Sequence, residues 1–409
     1  MFLLYNNNSM KKNNKRKSIG VIRGINKPLL ILSLIFIFGG AFMILSASSI
    51  SSVLQYEQDT YYFCRLQLEY IAAALAVSLV VINIPTSFYS RLGKYLIYVV
   101  LGITLIIFVK ESLFNKNVSD VAFDALGRRV QIAEFLKLML IVYLGIYYGD
   151  YVNQNKTSWA KTLTGLGLSI LAGLFIALGG DFGTGAIMLT LFALMFIMIP
   201  IRTKPFGVTK MILIAGMIVC ISGLLFAYKI VPENKLLSDP RTARLVYKNP
   251  CDRSEDVTGY QVCNGFIALD NGGLHGLGIG NSVQKYMYLP ASHTDFIFAI
   301  VVEELGSLVG VGIIIGYLIM IYMIVVEAIN SYNLQNSIIC FGIAMYIMLH
   351  VIVNLGGVFG LLPVTGVPLP FLSYGGSCII SMIIGLALVQ RIHIENVNEK
   401  KNRLISKEE

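Results

Sequence analysis

The run Leu289-Pro-Ala-Ser-His-Thr-Asp-Phe-Ile-Phe298 brings a carboxylate, Asp295, and an imidazole, His293, to the point where a polar stretch enters an apolar one. Partial desolvation at a water–lipid boundary raises a carboxylate's pKa toward the range where it can take a proton from a hydroxyl. Asp295 is therefore the candidate general base. A plainer reading stays open at this point: an N-cap, or a first-turn acid favoured by the dipole of the helix that follows. Glu303 and Glu304 come two turns later in apolar surroundings, where at least one needs a protein-lined polar pocket.

A second group lies in an apolar block further upstream. Gln131, Glu134 and Lys137 are spaced by three, which puts them on one face of a helix. Glu134 and Lys137 can pair. The pair is either a self-neutralising unit that fixes helix packing or a polar wall of an outward cavity, with Lys137 meeting an anion. The glycine-dense stretch Asn271 to Ser282 can bring backbone amides close to an anion, and reads equally well as a re-entrant turn. It lacks the Gly-Lys-Ser/Thr ending of a phosphate-binding loop. Pro363, Pro368 and Pro370 forbid a regular helix between Leu362 and Ser377. Irregular backbone at that depth must be buried in protein or line a wet cavity, so this is a re-entrant segment, with Ser373 as a polar contact. Asp181 reads as the N-cap of the sixth apolar block, and His350 as a packing residue.

These residues must be positioned by helices in lipid. Only 13% of the 409 residues are charged and 56% are hydrophobic, against about 25% charged in a soluble domain. Crossing a bilayer takes about 20 apolar residues. Blocks of that order lie near 29–50, 66–84, 95–109, 132–149, 162–179, 184–200, 209–228, 306–326, 337–354 and 375–392. The fold class is thus all-α, a polytopic membrane protein with about ten spans and a large loop, 229–293, before the eighth. The first block is too long for a signal peptide. Lys11, Lys12, Lys15, Arg16 and Lys17 put the N-terminus in the cytoplasm, and an even number of spans returns the basic C-terminal tail to the same side. The chain divides into a disordered basic tail (1–28), a transmembrane domain (29–392) and a C-terminal tail (393–409).

The loop 229–293 then lies outside with Arg241, Arg244 and Lys285 among its cations. Long loops escape the positive-inside rule. Their charge can meet outer-leaflet anions or the diphosphate of a lipid carrier. The net charge of +9 sits at membrane edges, which points to membrane lipid and excludes nucleic acid as a partner. The six cysteines form no CxxC, and no His/Cys/carboxylate cluster assigns a metal. Cys251 and Cys263 share the outer loop, either as a disulfide or as two free thiols. With no ATP-binding element, the driving force is an activated substrate or a gradient. A polymerase, a flippase and a scaffold all fit these physical features.

The runs Gly-Leu-Gly-Ile-Gly-Asn-Ser-Val-Gln-Lys285, Tyr-Leu-Pro290, His-Thr-Asp-Phe-Ile-Phe-Ala299 and Glu-Glu-Leu-Gly306 resemble the SEDS (shape, elongation, division and sporulation) family. So does Leu362 to Ser377, and more weakly Gly-Tyr-Gln261 and Asp-Phe-Gly-Thr184. The likeness runs from the first span to about Gln390, and the Gly-Asn-Ser-Val-Gln-Lys wording is nearer the division branch than the elongation branch. The resemblance implies a peptidoglycan glycosyltransferase that polymerises lipid II into a glycan strand at the outer face of the cytoplasmic membrane, at the division septum. It implies a class B penicillin-binding protein as partner, with other divisome proteins; the sequence itself requires no cofactor and leaves open a divalent cation at the diphosphate. Asp295 matches the family's catalytic aspartate, and Glu134 and Lys137 its Glu and Lys. With them, Arg241, Arg244, His293, Lys285 and Ser373 make up the expected substrate-binding set. The sequence departs from the family where Gln131-Ile-Ala-Glu134 replaces a Gln-Pro-Ser-Glu pattern, where Arg128-Arg129 replaces an Arg-Trp element, and where Ala291 replaces an acid after Pro290.

Overall fold

The computed structural model describes residues 20–89, 122–125, 128–153, 158–178, 182–201, 203–230, 249–253, 257–290 and 292–408, with isolated positions between 91 and 109. In hydrocarbon every backbone polar group must be satisfied within its own segment, so long apolar stretches have to become helices. They do. The helices are α1 (Lys27–Leu54), α2 (Tyr62–Asn83), α3 (Ile132–Asn153), α4 (Trp159–Leu178), α5 (Phe182–Met198) and α6 (Lys204–Ile230). After the outer segment come α7 (Val257–Gly272), α8 (Ile297–Leu305), α9 (Ser307–Ile329), α10 (Leu334–Val358) and α11 (Gly376–Glu408). Among the described residues, seven helices are long and apolar enough to cross a membrane, and Gly183–Met198 is a shorter apolar helix. The chain is an all-α polytopic membrane protein. The expected span at 95–109 and Asp181 lie mostly or wholly outside the described residues.

Local signals set several ends. The Asn26 side chain accepts the Leu29 N–H and Pro28 sits in the first turn of α1. Asn333 caps α10 the same way, through the Gln335 N–H. Gly306, with φ of 87°, separates α8 from α9. A Cβ there would fall 2.3 Å from the Leu274 carbonyl oxygen, so only glycine allows the two backbones to meet.

Two sequence expectations change here. The stretch 229–293 is not all loop: it contains α7 and a short 3-10 turn, Pro250–Arg253, stapled to α7 by a Cys251–Cys263 disulfide. And Gln131 does not share a helical face with Glu134. It ends a two-stranded antiparallel hairpin, β1 (Ala122–Ala125) with β2 (Arg128–Gln131), and α3 starts one residue later. The Gln131 N–H donates to Ser377 Oγ (2.9 Å), so the hairpin is tied to the start of α11.

The centre of the bundle is α3, α10 and α11. α10 packs against α3, α5 and α9, and α11 against α2. α10 is buried along nearly its whole length, whereas α1 and α9 keep wide apolar faces exposed, as lipid-facing helices should. The non-helical segment 359–375 folds back into the protein as the three prolines require. Its Phe371 carbonyl lies against α1, where a Cβ on Gly40 would be only 2.1 Å away.

Candidate active site

Residues 292–296 form the short bridge between the outer turns and α8, and the returning segment 359–375 holds that bridge by its main chain. The Tyr374 N–H donates to the His293 carbonyl (2.9 Å). Ser373 Oγ donates to the Thr294 carbonyl (2.6 Å). Asn354 Nδ2, from α10, donates to the Asp295 carbonyl (2.8 Å) and to the Val367 carbonyl (2.9 Å). Three consecutive carbonyls are thus fixed from one side. Ser373 also accepts the Leu369 N–H (2.8 Å), which shapes the turn that carries it. Asp295 itself is half-buried and lines a pocket with Asn354, Gly357, Val364 and Thr365.

His293 is buried between aromatic rings, 4.4 Å from the Phe63 ring and 5.9 Å from that of Tyr374. Its Nδ1 has no hydrogen-bond partner among the described residues. Burial pushes its pKa down to about 4, because desolvation disfavours the charged imidazolium.

The second group is a closed polar cluster in the bundle core. Lys137 Nζ lies 2.7 Å from Glu134 Oε1 and 2.9 Å from His350 Nε2, and both side chains of the ion pair are almost fully buried, at 1% and 4% exposure. The Tyr346 hydroxyl donates to the other Glu134 oxygen, and Ser381 Oγ donates to the Glu134 carbonyl (2.9 Å). Because the ammonium donates to Nε2, His350 carries its proton on Nδ1, which faces the Pro368 carbonyl at 3.3 Å. The cluster therefore touches the same returning segment that clamps the Asp295 bridge. Glu134, His350 and Cys378 offer ligand atoms within 4.8 Å of one another. Residue spacing in the sequence did not reveal this His/Cys/carboxylate cluster; in the structure the Lys137 ammonium lies between Glu134 and His350.

Lys285 is buried as well. Its Nζ donates to Glu304 Oε1 (2.9 Å) and to the Gly280 carbonyl (2.7 Å). Arg241 and Arg244 lie outside the described residues. Of the expected set, the structure places Asp295 and His293 on the bridge with Ser373 clamping it from the returning segment, groups Glu134 with Lys137 in the core, and seats Lys285 under the outer turns. His350, Asn354 and Tyr346 were not in that set. Their signal was a spacing of four: three polar side chains on one face of an otherwise apolar helix.

Comparison with known proteins agrees with this architecture. The family profile of FtsW/RodA/SpoVE cell cycle proteins matches residues 27–398. The chain belongs to this family. Within the family it is similar to a probable peptidoglycan glycosyltransferase FtsW of Coxiella burnetii, at 33% identity over 90% of this chain and 96% of that one. The Bacillus subtilis protein of the same name is 30% identical, with 89% of each chain covered. Stage V sporulation protein E of Bacillus subtilis is 29% identical over 89% of this chain and 95% of that one. The fold is shared with a chain solved in a peptidoglycan synthase complex that coordinates polymerization and crosslinking (TM-score 0.64, 20% identity, 90% of this chain and 97% of that one). It is also shared with the rod shape determining protein RodA of Thermus thermophilus (TM-score 0.59, 18% identity, 90% and 96%).

Proposed function

We propose that this protein is a peptidoglycan glycosyltransferase that polymerises lipid II during cell division. The observation that carries the reading is the bridge 293–295: a half-buried carboxylate on a backbone fixed by three hydrogen bonds, in a chain of the FtsW/RodA/SpoVE family. A general base must be held within hydrogen-bond reach of the proton it takes, and a fixed backbone supplies that. The relatives named as probable peptidoglycan glycosyltransferases support the substrate class.

In the reaction, Asp295 accepts the proton of the acceptor sugar's hydroxyl as its oxygen bonds to the donor's anomeric carbon. The bond from that carbon to the diphosphate oxygen breaks, and undecaprenyl diphosphate leaves with the electron pair. An α-linked donor gives a β-linked product in one inversion. His293 and Ser373 shape the bridge beside the substrate, Lys285 is held under the outer turns by Glu304, and Arg241 and Arg244 meet the diphosphate. Glu134 and Lys137 buttress the returning segment through His350, and Lys137 reaches the diphosphate when the cavity opens. No cofactor takes part; a divalent cation, if used, arrives on the diphosphate.

The tails' basic residues support cytoplasmic termini. The Cys251–Cys263 disulfide supports placing the segment before α8 on the oxidising outer side. The solved relative within a complex that coordinates polymerization and crosslinking supports a crosslinking partner, which we read as a class B penicillin-binding protein, and membership of a cell cycle family supports work at the septum with other divisome proteins.

The test is polymerisation of lipid II by purified protein with its transpeptidase partner present. Asp295→Asn should lower the rate by about 100-fold or more, with an unchanged melting temperature. A variant that polymerises at the native rate removes Asp295 as the base. Translocation of lipid II without polymer by the native protein replaces the enzyme with a flippase.

A further inference from the structure

The stretch from Leu274 to Tyr288 is built inside out. Three of its polar side chains, Ser282, Gln284 and Lys285, are buried and two, His275 and Asn281, are exposed, while Leu274, Leu277, Ile279, Val283, Tyr286 and Tyr288 are 41–63% exposed. A turn that faces water shows the opposite arrangement. Buried carboxylates enforce the inversion. Glu303 accepts from Asn271 Nδ2 (3.0 Å), from Ser282 Oγ, and from the N–H groups of Val283 and Gln284 (3.3 Å each). Glu304 binds Lys285 and accepts the Ser46 hydroxyl of α1 (2.8 and 2.7 Å). The polar atoms of Ser282, Gln284 and Lys285 are drawn down onto the end of α8, and the apolar side chains are left outward with no Asp, Glu, Lys or Arg exposed among residues 274–288.

That face is joined to a membrane-spanning helix. The Ser307 N–H donates to the Gly273 carbonyl (3.0 Å) and the Leu308 N–H to the Leu274 carbonyl (3.4 Å). Leu308, Val311 and Ile315 of α9 are 59%, 53% and 49% exposed, and exposed apolar side chains on such a helix face lipid. The apolar turns therefore begin where a lipid-facing stripe ends. Two exposed tyrosines suit the headgroup level, with an apolar ring and a hydroxyl that needs a polar partner.

We propose that residues 274–288 form a wedge seated in the interfacial layer of the bilayer, about 5–10 Å into the headgroup and acyl boundary. The wedge would hold the rim beside the Asp295 bridge at the depth where a lipid-linked diphosphate lies; this consequence rests on the proposed function, whereas the wedge does not.

The test uses the full chain, reconstituted alone in phosphatidylcholine vesicles. The single native tryptophan is removed with Trp159→Phe, and a reporter is introduced by Tyr288→Trp or, separately, Ile279→Trp. The expected result for both is blue-shifted emission, strong quenching by phosphatidylcholine brominated near the top of its acyl chains, and little quenching by iodide. Strong iodide quenching with no effect of brominated lipid overturns the wedge and makes the face a docking surface for a protein. Silence to both quenchers also overturns it, because the residue is then covered by protein. A melting temperature equal to that of Trp159→Phe shows that each variant has folded, and a failure of Asp295-dependent polymerisation would overturn the proposed function while leaving the quenching result to decide the wedge.

Discussion

Breaking the Glu134–Lys137 pair should cost far more than breaking an ion pair on a protein surface. Exposed pairs contribute up to about 1 kcal/mol. This pair is 2.7 Å apart and nearly inaccessible. Lys137→Met leaves the Glu134 carboxylate in the core without its cation, and Glu134→Met leaves an ammonium facing His350. Removal of one partner from a buried pair typically costs about 3–5 kcal/mol, because the remaining charge is uncompensated. The double variant Glu134→Met/Lys137→Met removes both charges, and the same reasoning predicts a loss well below the sum of the two single losses. Unfolding in mixed micelles, followed by circular dichroism, measures all four species, and lipid II polymerisation is assayed in parallel. If the pair acts by holding the returning segment, the double variant regains part of the activity lost in the singles. If Lys137 also touches the diphosphate, the double variant stays inactive while its stability recovers. Single losses below about 1 kcal/mol, the surface range, would refute the buried buttress altogether.

His293 makes stability depend on acid. Its folded pKa of about 4 lies below the unfolded value near 6.5, so the unfolded chain takes up the proton first. The contribution is complete above about pH 6.5, falls as the pH drops, and levels off below pH 4 after a loss of about 3 kcal/mol; His293→Phe should flatten melting temperature against pH across that window, and an unchanged slope would show the imidazole to be solvated. Reducing the Cys251–Cys263 disulfide, which closes a 12-residue separation, should cost about 3 kcal/mol. Dithiothreitol should lower the melting temperature of the native protein but not that of Cys251→Ser/Cys263→Ser, and equal shifts in both would contradict a structural bond.

Hydropathy was enough to read the seven long apolar helices seen among the described residues, because lipid imposes helix on any apolar stretch of sufficient length, whatever its neighbours. The prolines at 363, 368 and 370 likewise marked the returning segment, since no helix tolerates them there. α7 was missed for the opposite reason. Its sixteen residues mix Asn, Gln, Asp and Gly with apolar positions, and its helicity comes from packing on α8 and the disulfide rather than from its own composition. Gln131 misled because a spacing of three cannot reveal that a strand ends between its first two members. Candidate residues could be named from the sequence where chemistry and position coincided, at Asp295, Glu134 and Lys137. Which of these meet each other was not legible: His350 joins the core pair to Pro368 across 18 residues, and Asn354 reaches Asp295 across 59. Such contacts are properties of how helices stack, and one chain's spacing carries them only as the repeat of four along α10.

The bridge carrying Asp295 is gripped at its carbonyl oxygens, so the grip is indifferent to which side chains stand at 293 and 294. Replacement there can retune the surroundings of the carboxylate while leaving its coordinates alone. The tolerance ends at the donors. Proline in place of Tyr374 would delete an N–H, and alanine in place of Ser373 a hydroxyl, releasing the bridge although neither residue belongs to it. Variation in this enzyme should therefore be cheap on the strand that bears the acid and expensive on the strand that faces it.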